Sequence, residues 1–364
     1  MRSCKRRPRA ILAPIVLRAM LPAVLLAAGL SATGGRLAAG EPVAMRLEGF
    51  TVAPAHTPLA VVTVKNLQQA PYEGTLRVKG PEGWSIAPPE QKVTLGPGES
   101  KRVKFTVQRG TIRQSNAYPM EASATGGGAT VVHRQSVACT SAPYFKPEID
   151  GKTDDWKDAI PVTFTTGGKK TTISTYWNRR QFSLLVAVEE DKLVPWQQGV
   201  GPGGCDAVQL AIAPEQSPTP TAPEEASGRY EFLVVATGEG RAACFQLAEP
   251  ATKLAETQKA RDLGPLALRN AEAVVRRADG VTYYEVAIPF KSLPEIRPSE
   301  GREFCLSVLV HDTDGTGIRD WGQAAGLWPS ERNRLAWSNW PGARWEKEPP
   351  YDNRLPWGLC SSKY

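Results

Sequence analysis

An all-β protein of two β-sandwiches is the fold class that the sequence predicts, on three observations. Short runs of alternating apolar and polar residues recur between turn residues, helical periodicity is nearly absent, and 364 residues give room for about two domains. From residue 42 to 139 the runs are 59–65, 74–79, 92–95, 101–107 and 129–137. In the fourth, Val103, Phe105 and Val107 alternate with Lys104 and Thr106, the pattern of a half-buried antiparallel strand. From residue 143 to 360 they are 171–177, 181–188, 207–213, 230–236, 242–247, 271–277, 282–288 and 303–311. Phe182, Leu184, Val186 and Val188 share one face of their run, and Val208, Leu210 and Ile212 one face of the next, so two sheets are expected to close around them. The Pro/Glu/Ser-rich segment 214–228 reads as a mobile surface loop and 253–261 as a short helix without chemistry.

The expected organisation is an export signal at 1–40, a first sandwich at 41–142 and a larger one at 143–364. Residues 1–40 hold seven basic residues and no acidic one, then an apolar stretch from about Met20 to Leu30 and small residues at Ala38–Gly40. Neither apolar run there reaches the roughly 20 residues needed to span a bilayer, so export without stable membrane insertion is expected, to the periplasm, cell surface or medium. The formal charge of +7 is that of the signal, and the remainder carries 37 charges of each sign. A neutral mature chain lacks the basic footprint of a nucleic-acid binder. Its five cysteines, Cys139, Cys205, Cys244, Cys305 and Cys360, allow at most two disulfides; with no CxxC, zinc is not expected.

Two stretches resemble known families. "VVTVKNLQQAPYEGTLRV" followed by "PEGWSIAPPEQKVTLGPGESKRVKFTV" resembles the immunoglobulin-like domains appended to bacterial α-galactosidases, over Leu59 to about Ala124. Such domains are usually spacers, and Trp84 is expected in the core. "IDGKTDDW", "YWNRRQFSLLVAVEED", "CDAVQLAIAP" and "YYEVAIPFKSL" are similar in order and spacing to family 9 carbohydrate-binding modules, over about residues 145–345. The resemblance implies a jelly-roll-like sandwich that holds a terminal sugar between two Trp rings, with polar side chains on its hydroxyls and structural calcium.

Six of the ten Trp residues fall between Trp321 and Trp357, beside Arg319, Asp320, Gln323, Glu331, Arg332, Asn333 and Asn339. A pyranose lays its axial C–H groups on an aromatic face while polar groups take its hydroxyls, so this mixture suits a sugar site, although three or four of the six rings are expected to be packing. By the resemblance, Trp196 is the first stacking ring, Asp206 opens the next block, Gln209 stands where the family has Glu, and Trp321 is the opposite ring with Arg319 beside it. Asp312, Asp314 and Asp320, spaced by glycines, are the expected calcium ligands, with a plain turn as the alternative; Gln323 at the twelfth position excludes an EF-hand. Gly199-x-Gly201-x-x-Gly204 satisfies a dinucleotide fingerprint but contains Pro202 and leads into a strand, so it is discounted.

The expectation is therefore an exported, non-catalytic protein that binds polysaccharide or oligosaccharide through aromatic stacking. A divergent glycoside hydrolase or its accessory subunit is the alternative, although no carboxylate pair is singled out. A DOMON-type haem b carrier is disfavoured because Met1, Met20, Met45 and Met120 all precede the second domain.

Overall fold

The computed structural model describes residues 40–338, apart from 200–203, 218–219, 239, 258, 260 and 329–330. The export signal, Asn339, Trp340, Trp345, Trp357 and Cys360 lie outside the described residues. The first sandwich comprises β1 (Val43–Leu47), β2 (Leu59–Asn66), β3 (Tyr72–Lys79), β4 (Ser85–Ala87), β5 (Gln91–Leu95), β6 (Ser100–Arg109), β7 (Tyr118–Gly126) and β8 (Ala129–Val137). They form two sheets of four strands, ordered β1-β2-β6-β4 and β5-β3-β7-β8. Val103, Phe105 and Val107 turn into the core as the alternation requires. The Pro81–Trp84 turn is closed by the Trp84 amide on the Pro81 carbonyl, with Gly83 at φ 80°, a conformation that a side chain would strain. Trp84 then packs half-buried against Phe50 and Tyr118, a core role as expected.

The second sandwich begins with β9 (Ser141–Pro143) and continues through β10 (Val162–Thr166), β11 (Lys169–Trp177), β12 (Gln181–Glu189), β13 (Ala207–Pro214), β14 (Tyr230–Gly238), β15 (Arg241–Ala248), β16 (Glu272–Ala278), β17 (Val281–Pro289), β18 (Glu303–Asp312), β19 (Gly317–Asp320) and β20 (Arg334–Ser338). One sheet is ordered β10-β11-β12-β17-β16, the other β15-β14-β13-β18-β20-β9 with β19 against β18. Phe182, Leu184, Val186 and Val188 face Val208, Leu210 and Ile212 in a common core. "IDGKTDDW" is a clamp on one buried side chain: Gly151 N–H and Trp156 Nε1–H donate to the two oxygens of Glu285 at 2.7 and 2.8 Å. Among the described residues helix is limited to single turns; Leu254–Thr257 falls within the segment expected to be helical. The 214–228 segment is more tied down than its composition suggests, since Ser227 is buried and Lys253 pairs with Glu224 at 2.8 Å. Cys139, Cys205, Cys244 and Cys305 are buried free thiols.

The two sandwiches interlock. Asn116 of the first donates its amide to the carbonyls of Cys139 and Pro161 and accepts from the Cys139 amide, all within 2.9 Å. Ile160, from the connecting segment, is buried in the core of the first sandwich. Arg46 pairs with Glu331 at 2.7 Å, Thr51 bonds Glu303 at 3.2 Å, and Thr140 donates to the Arg334 carbonyl at 2.6 Å.

Candidate functional site

The outer face of the β14-β13-β18 sheet is built by strand alternation. Because Val208, Leu210 and Ile212 point inward, Ala207, Gln209 and Ala211 point outward. Register sets Leu233 and Leu309 beside Gln209, and Glu231 and Ser307 beside Ala211. Gln209, Ala211, Glu231, Ser307 and Leu309, with Arg229, Asp320, Leu327 and Asn333, line a groove of about 300 Å³, while Ala207 and Leu233 are buried beside it. Its floor carries a polar relay: Arg229 Nε donates to Glu231 at 2.5 Å and Gln209 Nε2 donates to Glu231 at 3.4 Å, while beside the groove His311 Nε2 lies 3.0 Å from Gln209 Oε1. Burial lowers the His311 pKa, which favours a neutral ring that can donate to Gln209. Sequence reasoning found Gln209 and missed Arg229, Glu231 and His311. The signal for Glu231 was its alternation with inward Tyr230 and Phe232.

Trp196 stands on the same outer face, half-buried and edge-on to Phe245 with centroids 5.2 Å apart. It packs with Leu233, the cross-strand neighbour of Gln209. Trp321 does not join it. Its ring is 3 % exposed in the core between the sheets, because the turn after β19 directs it inward. Trp337 is also core, stacked on Phe304 at 3.8 Å. Among the described residues, no aromatic ring lines the groove itself.

Asp206 and Arg319 belong to a different constellation. Asp206 precedes β13 and Asp312 ends β18, so their strands' pairing brings them together with Asp314; one oxygen of each lies within 4.8 Å of the others. Asp206 is buried and fully engaged: Oδ1 accepts from the Thr313 amide and hydroxyl at 2.8 Å, and Oδ2 from the Val194 amide at 2.5 Å. Arg319, 0 % exposed, pairs with Asp312 at 2.6 Å and also donates to Thr316 and to the Glu189 carbonyl. A guanidinium so enclosed meets no sugar. Burial would raise the Asp312 pKa, but the Thr316 amide and Arg319 together hold it below the usual value. Asp314 pairs with Lys192 at 2.9 Å. Asp320 is elsewhere, capping the one-turn helix Trp321–Ala324 by accepting from the Gly322 and Gln323 amides.

The sequence reading also missed Glu190, which is buried beside this cluster. Its Oε1 accepts from the Thr282 hydroxyl while Oε2 has no hydrogen-bond partner. Burial first, then repulsion from Asp206 and Asp312, pushes its carboxyl up to about 7. The Tyr284 hydroxyl is likewise buried and unpartnered. Arg319 pairs with Asp312 and Lys192 with Asp314, and the converging oxygens of Asp206, Asp312 and Asp314, with the spare Glu190 oxygen nearby, fit a hard divalent cation.

Residues 55–126 match the family model described as NPCBM-associated, NEW3 domain of alpha-galactosidase. No curated protein matches the chain. Among solved structures, a family 9 carbohydrate-binding module from Caldicellulosiruptor kristjanssonii in complex with cellotriose is 13% identical with a TM-score of 0.37, over 60% of this chain and 97% of that one. The same kind of module from that organism with glucose is 14% identical, TM-score 0.37, over 59% and 98%. The YadV chaperone is 10% identical, TM-score 0.21, over 77% and 98%.

Proposed function

We propose that this is an exported, non-catalytic carbohydrate-binding protein whose ligand surface is the outer face of the β14-β13-β18 sheet. The observation that carries this reading is the recessed relay of Arg229, Glu231, Gln209 and His311, with Trp196 on the same face. Such a floor offers donors and acceptors at sugar-hydroxyl spacing, and a half-exposed indole offers the apolar platform. The resemblance of residues 145–345 to family 9 modules and the NEW3 match at 55–126 support it. A non-catalytic role is favoured because the groove's carboxylates are committed: Glu231 to Arg229, Asp320 to its helix cap, and Glu331 to Arg46. A hydrolase needs two carboxyl groups free to act on the glycosidic bond. We assign structural calcium to Asp206, Asp312, Asp314 and Glu190 in place of the Asp312, Asp314 and Asp320 set, the ion supplying the charge that the cluster lacks.

The test is calorimetric titration of the mature chain with neutral oligosaccharides, alongside a turnover assay on the same panel. Binding without turnover is expected. Trp196→Ala should weaken it about tenfold or more, from the roughly 1–3 kcal/mol of an aromatic stack. Unchanged affinity in that variant would remove Trp196 from the site, and release of reducing ends would move the protein into the hydrolases.

A further inference from the structure

Between the sandwiches lies a cleft of about 430 Å³, distinct from the groove but sharing Arg332 and Asn333 with it. Glu48, Arg102 and Lys104 come from the first sandwich, and Glu215, Arg302, Glu303 and Arg334 from the second. Three guanidinium groups in its wall are matched: Arg46 by Glu331, Arg102 by Glu48 at 2.7 Å, and Arg334 by Glu215 and Glu303. Lys104 and Arg302 are exposed and have no carboxylate within ion-pair distance among the described residues. The cleft therefore carries more positive than negative charge. Asn333, whose buried side-chain nitrogen has no hydrogen-bond partner, stands between cleft and groove and lines both. Two unmatched cations at the wall of one concavity ask for an acceptor with negative charge.

We propose that this interdomain cleft is a subsite for the carboxylate or sulfate of an acidic glycan, with the first sandwich supplying part of the ligand surface rather than acting as a spacer. The inference rests on the carbohydrate reading above and names the class of sugar. Residues 331–334 separate groove from cleft, so a chain lying on the sheet face reaches the cleft by crossing one segment of backbone. A volume of this size admits one or two sugar units, within the 300–1,000 Å³ typical of ligand sites. Because the two cations are solvent-exposed, the preference for acid should be strong at low ionic strength and fade as salt screens it.

The experiment is titration of the mature chain with three matched probes: a galacturonate oligosaccharide, a sulfated neutral oligosaccharide and a plain cello-oligosaccharide. At low salt at least one acidic probe should bind about tenfold or more tighter than the neutral one, and which one does so identifies the anion. The double variant Lys104→Glu, Arg302→Glu should lose that advantage while keeping its affinity for the neutral probe, which lies in the groove. Both positions are exposed and outside every ion pair described, and an unchanged melting temperature confirms the fold. Neutral binding with no acidic advantage, or an advantage that survives in the double variant, overturns the cleft proposal and leaves the carbohydrate reading intact. Failure of all three probes overturns both.

Discussion

Both sandwiches close around aliphatic and aromatic cores, yet they treat charge in opposite ways. In the first, Arg46 is the one charged side chain among the described residues that is buried, and it is held at the interface by Glu331. In the second, Glu190, Asp206, Glu231, Glu285, Asp312 and Arg319 are all buried. Burying a charge costs several kcal/mol unless partners replace the lost water. A fold that needed only stability would not concentrate that cost in one half. The first sandwich keeps nearly all of its charge at the surface, and the second trades stability for placed polar groups.

The sharpest way to break this comparison is to cut the same kind of pair in each half. Arg319–Asp312 and Arg102–Glu48 have nearly equal separations, 2.6 and 2.7 Å, but the first is fully enclosed, whereas Arg102 is 38% and Glu48 13% exposed. Arg319→Met should cost about 3–5 kcal/mol because it strands Asp312 in the interior. Chemical denaturation of each variant measures both costs, and equal losses would end the distinction.

The next largest effect is a pH dependence confined to the second half. Folded Glu190 keeps its proton to about pH 7, whereas the unfolded chain releases it near the ordinary value of 4.5. Between those limits the folded state binds more protons, so stability falls as pH rises, by about 3 kcal/mol in chelator. Calcium should flatten the curve by binding the ionised cluster, and Glu190→Gln should flatten it without calcium. A melting temperature that rises from pH 5 to 7 in chelator would contradict the assignment.

Gln209→Ala sharpens the contrast between groove and core. It should lower sugar affinity about tenfold, from lost hydrogen bonds, and change the melting temperature little because the side chain is only half-buried. The smallest effect is expected for Arg102→Ala, about 1 kcal/mol, because Arg102 is partly exposed and Glu48 keeps its bond from Thr63.

The strands were the most legible feature of the sequence. The expected run 129–137 coincides with β8, and 181–188 and 207–213 differ from β12 and β13 by one residue, because alternation and turn residues are local signals. Strands β1, β4, β7, β9, β10, β19 and β20 escaped, several because runs such as "VTFTT" and "GIRD" are too short or too polar to show a period. The candidate site was less legible for a different reason. Asp206 and Asp312 meet only because β13 pairs with β18 across some hundred residues, and no local pattern encodes that pairing. Trp321 looked like a platform because it sits among polar residues in sequence, while three dimensions turn it inward. The outward placement of Gln209 was legible because strand alternation alone sends it to the face opposite Val208 and Leu210.

The seam at Ile160 and Asn116 has an evolutionary consequence. A recombination break in the connector would leave the first sandwich with a void where Ile160 sits, and Asn116 with its amide unanswered. The seam thus ties each half to the other through a shared core residue and a buried amide. In any larger architecture the pair must travel, duplicate and be lost together, so the angle between the N-terminal sandwich and the sheet face beyond it is inherited as one character.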